Sequence, residues 1–334
     1  MDVASLLFGH SKALYSSWVF YKPDHLLIDC GEGAATALGN GGYAIEKVLL
    51  THGHIDHISG LPSLLWSRAA GMGDNEKPLQ IFHPRDDLFV ADMQTYLERT
   101  TARLPFPLTW TALEAGAEIA ADESTLDGAS TRHKRRVQTF ATRHIRERLT
   151  LGYKIVESRR RLKKEWAHLS QNDLRLKAQQ DGAQAMRELS EDYDAIVAAF
   201  SGDTLPVEID DVRGCELLMH EATILDAGER KHQWHATLDE AIGVGIRAEV
   251  KTLVLYHFSG RYNWSDIRAA VAKGAVRQGA SMPIWCLFRD RLLPVWPVEA
   301  KKPGQNFRAP KTPNAIAANE IAANASLSSL ADSK

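Results

Sequence analysis

Thr51-His52-Gly53-His54-Ile55-Asp56-His57 gathers four metal-ligand side chains into six residues of a chain with only 13 histidines in 334. The stretch follows Lys47-Val-Leu-Leu, an apolar run that reads as a strand. In an extended segment His52 and His54 point the same way, and if a helix begins near residue 58, Asp56 and His57 turn toward a neighbouring point. Two such pairs of ligands suit two adjacent metal ions. Cations held about 3.5–4 Å apart need an anion between them. Asp203, in Phe200-Ser-Gly-Asp-Thr204, is the candidate bridge, because Gly202 permits a sharp turn after the run 195–200. His144, in Ala141-Thr-Arg-His144, and His257, in Tyr256-His-Phe-Ser-Gly-Arg-Tyr262, end other apolar runs, where further neutral ligands belong.

The elements that must position these groups are short and β-rich. His25-Leu-Leu-Ile-Asp-Cys30, residues 47–52 and 195–200, Cys215-Glu-Leu-Leu-Met-His220 and Thr252-Leu-Val-Leu-Tyr-His257 each deliver a metal-ligand residue or an acid at or just past the carboxyl end. In α/β architectures active sites gather there, so one polar site on one sheet rim is expected. Helices are expected over 59–71, after the capping box Thr237–Glu240, and over 266–274 behind a Ser265 cap. Residues 159–190 read as a mostly solvated helix, and 300–334 as a disordered tail following a domain over 1–299. Cys30, Cys215 and Cys286 read as buried reduced thiols. No run approaches eighteen apolar residues and Asp2 stands where a secretory leader carries positive charge, so a soluble cytoplasmic protein with no membrane association is expected.

A composition 44% hydrophobic and 25% charged is that of a globular chain with a large core, and a net charge of −2 argues against a surface covered in nucleic-acid-binding cations. The charge is unevenly spread. Residues 132–177 hold fifteen Lys/Arg against four acids, a local +11 that leaves −13 on the remainder. Such a cluster can supply salt-sensitive contacts to phosphates.

His52-Gly-His-Ile-Asp-His57 together with His144, Ser201-Gly-Asp-Thr204, His220-Glu-Ala-Thr223, His235-Ala-Thr237, Asp29-Cys-Gly-Glu-Gly33, Leu151-Gly-Tyr153 and His257-Phe-Ser-Gly-Arg-Tyr262 resembles the metallo-β-lactamase fold and, within it, the ribonuclease Z family. The resemblance covers roughly residues 25–275 and implies an α/β fold, an αββα sandwich with an inserted basic arm at about 157–192. It implies two zinc ions per chain, with manganese or iron also compatible with His/Asp donors. His52, His54 and His144 would hold one ion, Asp56, His57 and His257 the other, and Asp203 would bridge them. Asp56 would act on the attacking water, and Glu221 with His235 would protonate the leaving oxygen. The implied function is removal of 3′ extensions from precursor tRNA by metal-hydroxide attack on a phosphodiester, in a homodimer. Arg159, Arg160, Arg161, Lys163 and Lys164 of the arm and Arg261 would contact substrate. Alternatives are a small-molecule phosphodiesterase or another hydrolase on the same site, and an RNA-binding protein without catalysis, which retention of all seven ligands opposes. Leu7-Phe-Gly-His-Ser-Lys12 departs from the family's usual amino-terminal pattern.

Overall fold

Alternation within the short apolar runs decides the layering. Leu26 and Ile28 face one core and Leu27 another; Leu49 opposes Val48 and Leu50; Val254 and Tyr256 oppose Leu253 and Leu255. Strands apolar on both faces need a covering layer on each side. The structure, a computed structural model, describes residues 2–71, 77–101, 103–120, 135–166 and 168–297.

One sheet has six strands side by side in chain order, β1 (Leu7–Lys12), β2 (Ser16–Tyr21), β3 (Leu26–Ile28), β4 (Lys47–Leu49), β5 (Leu79–Pro84) and β6 (Leu108–Leu113), with β3 to β6 parallel. The second has eight, again in chain order. They are β7 (Glu118–Ala120), β8 (Arg135–Thr142), β9 (Thr150–Leu162), β10 (Ser190–Phe200), β11 (Leu218–Glu221), β12 (Leu253–Tyr256), β13 (Ile284–Phe288) and β14 (Arg291–Trp296), with β10 to β13 parallel. Val19, Leu49, Leu151, Tyr153, Met219 and Val254 form the core between the sheets. Helices Leu61–Gly71 and Leu88–Thr100 cover the outer face of the first sheet, and helices Leu238–Arg247 and Trp264–Gln278 that of the second. This is the αββα sandwich anticipated from the motifs.

Leu151-Gly-Tyr153 fastens the sheets together beside the histidine stretch. The buried Tyr153 hydroxyl donates to the Leu50 carbonyl at 2.6 Å, and the Leu151 N–H donates to the Thr51 carbonyl at 3.0 Å. A side chain at Gly152 would collide with the Phe140 ring, so the strand needs glycine to lie this close.

Two local expectations are corrected. Arg159–Leu162 is not helical: β9 runs to Leu162 and pairs antiparallel with β10 from Ser190, and helix Gln171–Glu188 lies between the two strands. Opposite charges across the ribbon account for the difference, since Arg161 pairs in register with Glu191 and Arg160 with Asp192. Asn263, not Ser265, caps the last helix, its side chain receiving the Asp266 N–H in a capping box. The Thr237–Glu240 capping box and helix Leu61–Gly71 agree with the sequence reading, while the turn after the histidines begins before residue 58, as a separate short helix Ile55–Ile58. The three cysteines are free and buried, and among the described residues no helix is long and apolar enough to cross a membrane. The segment 300–334 lies outside the described residues, as do Arg132 and Lys134 of the basic segment.

An ion-pair chain ties the root of the ribbon to the sheet. Arg159 contacts Glu157 at 2.6 Å and Glu216 at 2.8 Å, Lys251 reaches Glu216 at 2.7 Å, and Arg135 joins Glu157 at 2.6 Å to Asp24 at 3.2 Å. Hydrogen bonding from Arg159, ahead of the opposing effect of burial, lowers Glu216 to a pKa of about 2. A carboxylate depressed on folding contributes stability above its unfolded value and loses it as pH falls toward the folded one. Glu216→Gln is therefore expected to narrow the gap in urea midpoint between pH 5 and pH 3, measured by circular dichroism against the parent.

Candidate metal centre

Parallel strands of both sheets end on one rim, and the loops leaving them carry the polar residues. Past β4 the chain stays extended through His52 and His54, then turns into helix Ile55–Ile58, which presents Asp56 and His57. Gly53 is required by crowding: its N–H donates to Asp87 at 2.7 Å, and a Cβ there would run into the Asp87 carboxylate and lie 2.8 Å from Phe89. His144 follows β8, Asp203 follows β10 and His257 follows β12. Gly202 has φ +62°, and a Cβ would stand 2.8 Å from the Thr51 side chain, so only glycine delivers Asp203 here.

Two triads result. The His54 Nδ1 lies 3.0 Å from His52 Nε2 and 3.1 Å from His144 Nε2. In the second triad Asp56 Oδ2 is 3.7 Å from His57 Nε2 and 3.6 Å from His257 Nε2. Asp203 stands between them: its Oδ2 is 3.9 Å from both His52 and His144, 3.3 Å from His57 and 3.2 Å from His257. Each triad's donor atoms lie within 4.8 Å of one another, as ligands of one ion must. His57 Nε2, His257 Nε2 and Asp203 Oδ1 are buried with no hydrogen-bond partner, a state interiors avoid unless an ion completes them. The residues fit a metal.

Electrostatics favours the ligand forms of His52, His54, His144 and Asp203. Burial pushes His52, and less strongly His54 and His144, below the usual imidazole range, which keeps them neutral. Burial raises the Asp203 carboxyl, but His257 and His57 outweigh it and hold the group ionised. Against its own burial, His57 is driven up by Asp203 and Asp29.

Outer partners fix nearly every ligand. His57 Nδ1 meets Asp29 at 2.7 Å, His52 Nδ1 meets Thr51 Oγ1 at 3.0 Å, His144 Nδ1 meets the Trp234 carbonyl at 2.9 Å, and His257 Nδ1 meets Thr223 Oγ1 at 2.9 Å. Asp56 accepts the N–H of Leu14 at 2.9 Å, from a left-handed turn with φ +66°. His257 itself has φ +60°, a strained value, and its N–H is held by Ser11 Oγ at 2.9 Å. Asp29, Thr51, Asp87, Thr223 and the Trp234 carbonyl received no role from the sequence alone. Asp29 and Thr223 lay inside recognised motifs; the Trp234 carbonyl left no signal.

Glu221 and His235 sit beside both triads. Glu221 is fully buried and accepts the N–H groups of Thr204 (2.9 Å) and Thr223 (3.0 Å), the Thr223 hydroxyl (2.6 Å) and His235 Nδ1 (2.7 Å). Burial opposes the imidazolium of His235, but the Glu221 carboxylate prevails and raises its pKa to about 9. The His235 ring lies 4.7 Å from His144 and 5.5 Å from His257 between centroids. His220 is structural, buried with Nδ1 on the Glu221 carbonyl at 2.7 Å.

The six cations proposed for substrate are not brought into this cluster. Arg159, Arg160 and Arg161 are ion-paired on the ribbon, the last two with Asp192 and Glu191 at 2.8 Å each. Lys163 donates its backbone N–H to Leu189, Lys164 opens a single 3-10 turn, and neither makes an ion pair among the described residues. Arg261 is 3.5 Å from Glu229 and stacks over Tyr262.

The fold and this centre define a metal-dependent hydrolase of the metallo-β-lactamase fold. The same architecture occurs in the metallo-β-lactamase fold protein YhfI of Bacillus subtilis (TM-score 0.58, 15% identity, 86% of this chain and 98% of that one) and in human tRNase Z, short form (TM-score 0.52, 22% identity, 76% and 93%). The ribonuclease Z of Metallosphaera sedula is 31% identical over 261 residues, 71% of this chain and 79% of that protein, and the ribonuclease Z of Gemmatimonas aurantiaca is 29% identical over 71% and 77%. The chain belongs to the ribonuclease Z family. Residues 10–162 also match the family model described as anti-Pycsar protein Apyc1.

Outer-shell partners of metal-bound histidines typically contribute about 10–100-fold in metal affinity. Asp29→Ala is accordingly expected to weaken metal binding by about that factor with the secondary structure retained, as read by metal-chelator competition and circular dichroism.

Proposed function

We propose that the chain is a zinc-dependent endoribonuclease that removes 3′ extensions from tRNA precursors in the cytoplasm, as a homodimer with two ions per chain. The observation that carries the reading is the shared Asp203 carboxylate between two histidine-rich triads, with the Glu221–His235 pair alongside. A site for two adjacent cations with a separate proton donor suits in-line displacement at phosphorus. The ribonuclease Z relatives supply the substrate class by their name.

His52, His54 and His144 would hold one ion, and Asp56, His57 and His257 the other, with Asp203 common to both. Bound ions would lower the pKa of water and offset charge on the phosphoryl oxygens. Asp56, oriented by the Leu14 N–H, positions the attacking water and takes its proton. His235 keeps its Nδ1 proton on Glu221 and gives the Nε2 proton to the departing ribose oxygen. Glu221 stays ionised because three other donors converge on it, so it holds the imidazolium without removing its proton. In the arm, Lys163 and Lys164 are among the cations available to RNA, while Arg159, Arg160 and Arg161 brace the ribbon.

The pairing of those three arginines, which leaves fewer cations to grip a long RNA, favours one other reading, a phosphodiesterase for small nucleotides on the same centre. Purified zinc-loaded protein given a tRNA precursor, cyclic mononucleotides and bis(p-nitrophenyl) phosphate separates the two. End-mapped cleavage of the precursor supports the ribonuclease; turnover of the mononucleotides with the precursor intact sinks it. His235→Ala is expected to lower kcat on the favoured substrate by about 10²–10⁴ with metal content unchanged, measured by single-turnover kinetics and metal analysis.

A further inference from the structure

A cleft of about 480 Å³ opens beside the metal centre, lined among others by Gly53, His54, Ile55, Phe89, Asp92 and Tyr96. His54 belongs to both, since its Nδ1 faces His52 and His144 while its ring lies 6.1 Å from that of Phe89. Phe89, Asp92 and Tyr96 fall at i, i+3 and i+7 of helix Leu88–Thr100 and so share one face. Phe89 and Tyr96 are 44% and 54% exposed, so both rings are open to a ligand in the cleft. Asp92 is the one charged side chain in this lining. From the loop that carries His144, the Arg148 guanidinium lies 5.1 Å over the Phe89 ring and makes no ion pair among the described residues.

Each part fits a portion of a nucleotide. Flat, sequence-tolerant surfaces for bases are aromatic rings and guanidinium planes. A carboxylate accepts hydrogen bonds from base amino groups and finds only carbonyl acceptors and one imide N–H on uracil. A guanidinium without a protein counter-ion is a ready partner for phosphate. We propose that this cleft is a nucleotide subsite in which Phe89 and Tyr96 hold the base next to the scissile phosphate, Asp92 reads its edge and Arg148 meets a neighbouring phosphate. The assignment rests on the reading of the metal centre as one that cleaves a phosphodiester of a nucleotide, whether in a tRNA precursor or in a small nucleotide. It makes the cleft the element that selects bases near the cut, with preference for amino-bearing bases over uracil.

The test uses the zinc-loaded full chain and tRNA precursors that differ only at the nucleotides flanking the cut, carrying each of the four bases or an abasic unit. The parent is expected to cleave base-bearing substrates at least about five-fold faster than the abasic one, the scale of one stacked base. In Phe89→Ala and Tyr96→Ala that ratio should fall toward one, in Asp92→Asn the spread between amino-bearing bases and uracil should close, and in Arg148→Ala the salt dependence of kcat/KM should flatten. Equal losses on base-bearing and abasic substrates, or an unchanged ratio, overturn the proposal. So does a drop in sedimentation mass in Phe89→Ala, which makes the face a contact between copies of the chain. If the parent leaves every precursor uncut, the ribonuclease reading fails by itself, and the same ratios are read on four cyclic mononucleotides against base-free ribose cyclic phosphate.

Discussion

The shared carboxylate of Asp203 is the constraint around which the molecule is arranged. A buried anion facing four imidazoles is sustainable only where positive charge is supplied, and burial keeps two of those imidazoles, His52 and His144, neutral. Ligands from four strand ends, those of β4, β8, β10 and β12, must then be aimed at the same small space. The glycines at 53 and 202, the left-handed backbones at Leu14 and His257 and the glycine that lets the Leu151-Gly-Tyr153 strand close on its neighbour all follow from that demand.

Rigidity around the centre comes from hydrogen bonds that serve two groups at once. Asp29 holds Thr51 and His57, Thr223 links Glu221 to His257, and Asp87 both caps a helix and receives the Gly53 N–H. Such sharing couples the proton donor to the ligand shell: the hydroxyl that orients His257 is the one that keeps Glu221 ionised. Displacement of either is felt at both, which is why the outer partners matter as much as the ligands.

Charge on the arm is a different matter from charge in the sequence. The local +11 over residues 132–177 omits the acids that come later in the chain, and antiparallel pairing sets Glu191, Asp192 and Asp194 across from Arg161, Arg160 and Ser158. The arginines thereby become internal braces of the ribbon, and the cations of this segment without a protein counter-ion, such as Lys163, Lys164 and Arg148 among the described residues, are the ones left for a polyanion.

The sequence by itself supplied all seven metal-binding candidates, because ligand-type residues at strand ends leave a periodic, local mark of strand, histidine pair, turn and acid, and it carried the fold class through its resemblance to a known family. It also determined the pairing of Glu221 with His235, through motifs carried with the family. The tertiary structure alone decided which groups stand behind the ligands and what the basic segment does. Both depend on contacts between residues far apart in the chain, such as Trp234 with His144 or Glu216 with Arg159, and on strand register, which converts a run of like charge into a ladder of opposite ones. The aromatic face of helix Leu88–Thr100 belongs to the same class, since its residues acquire meaning only where the helix sets them against His54.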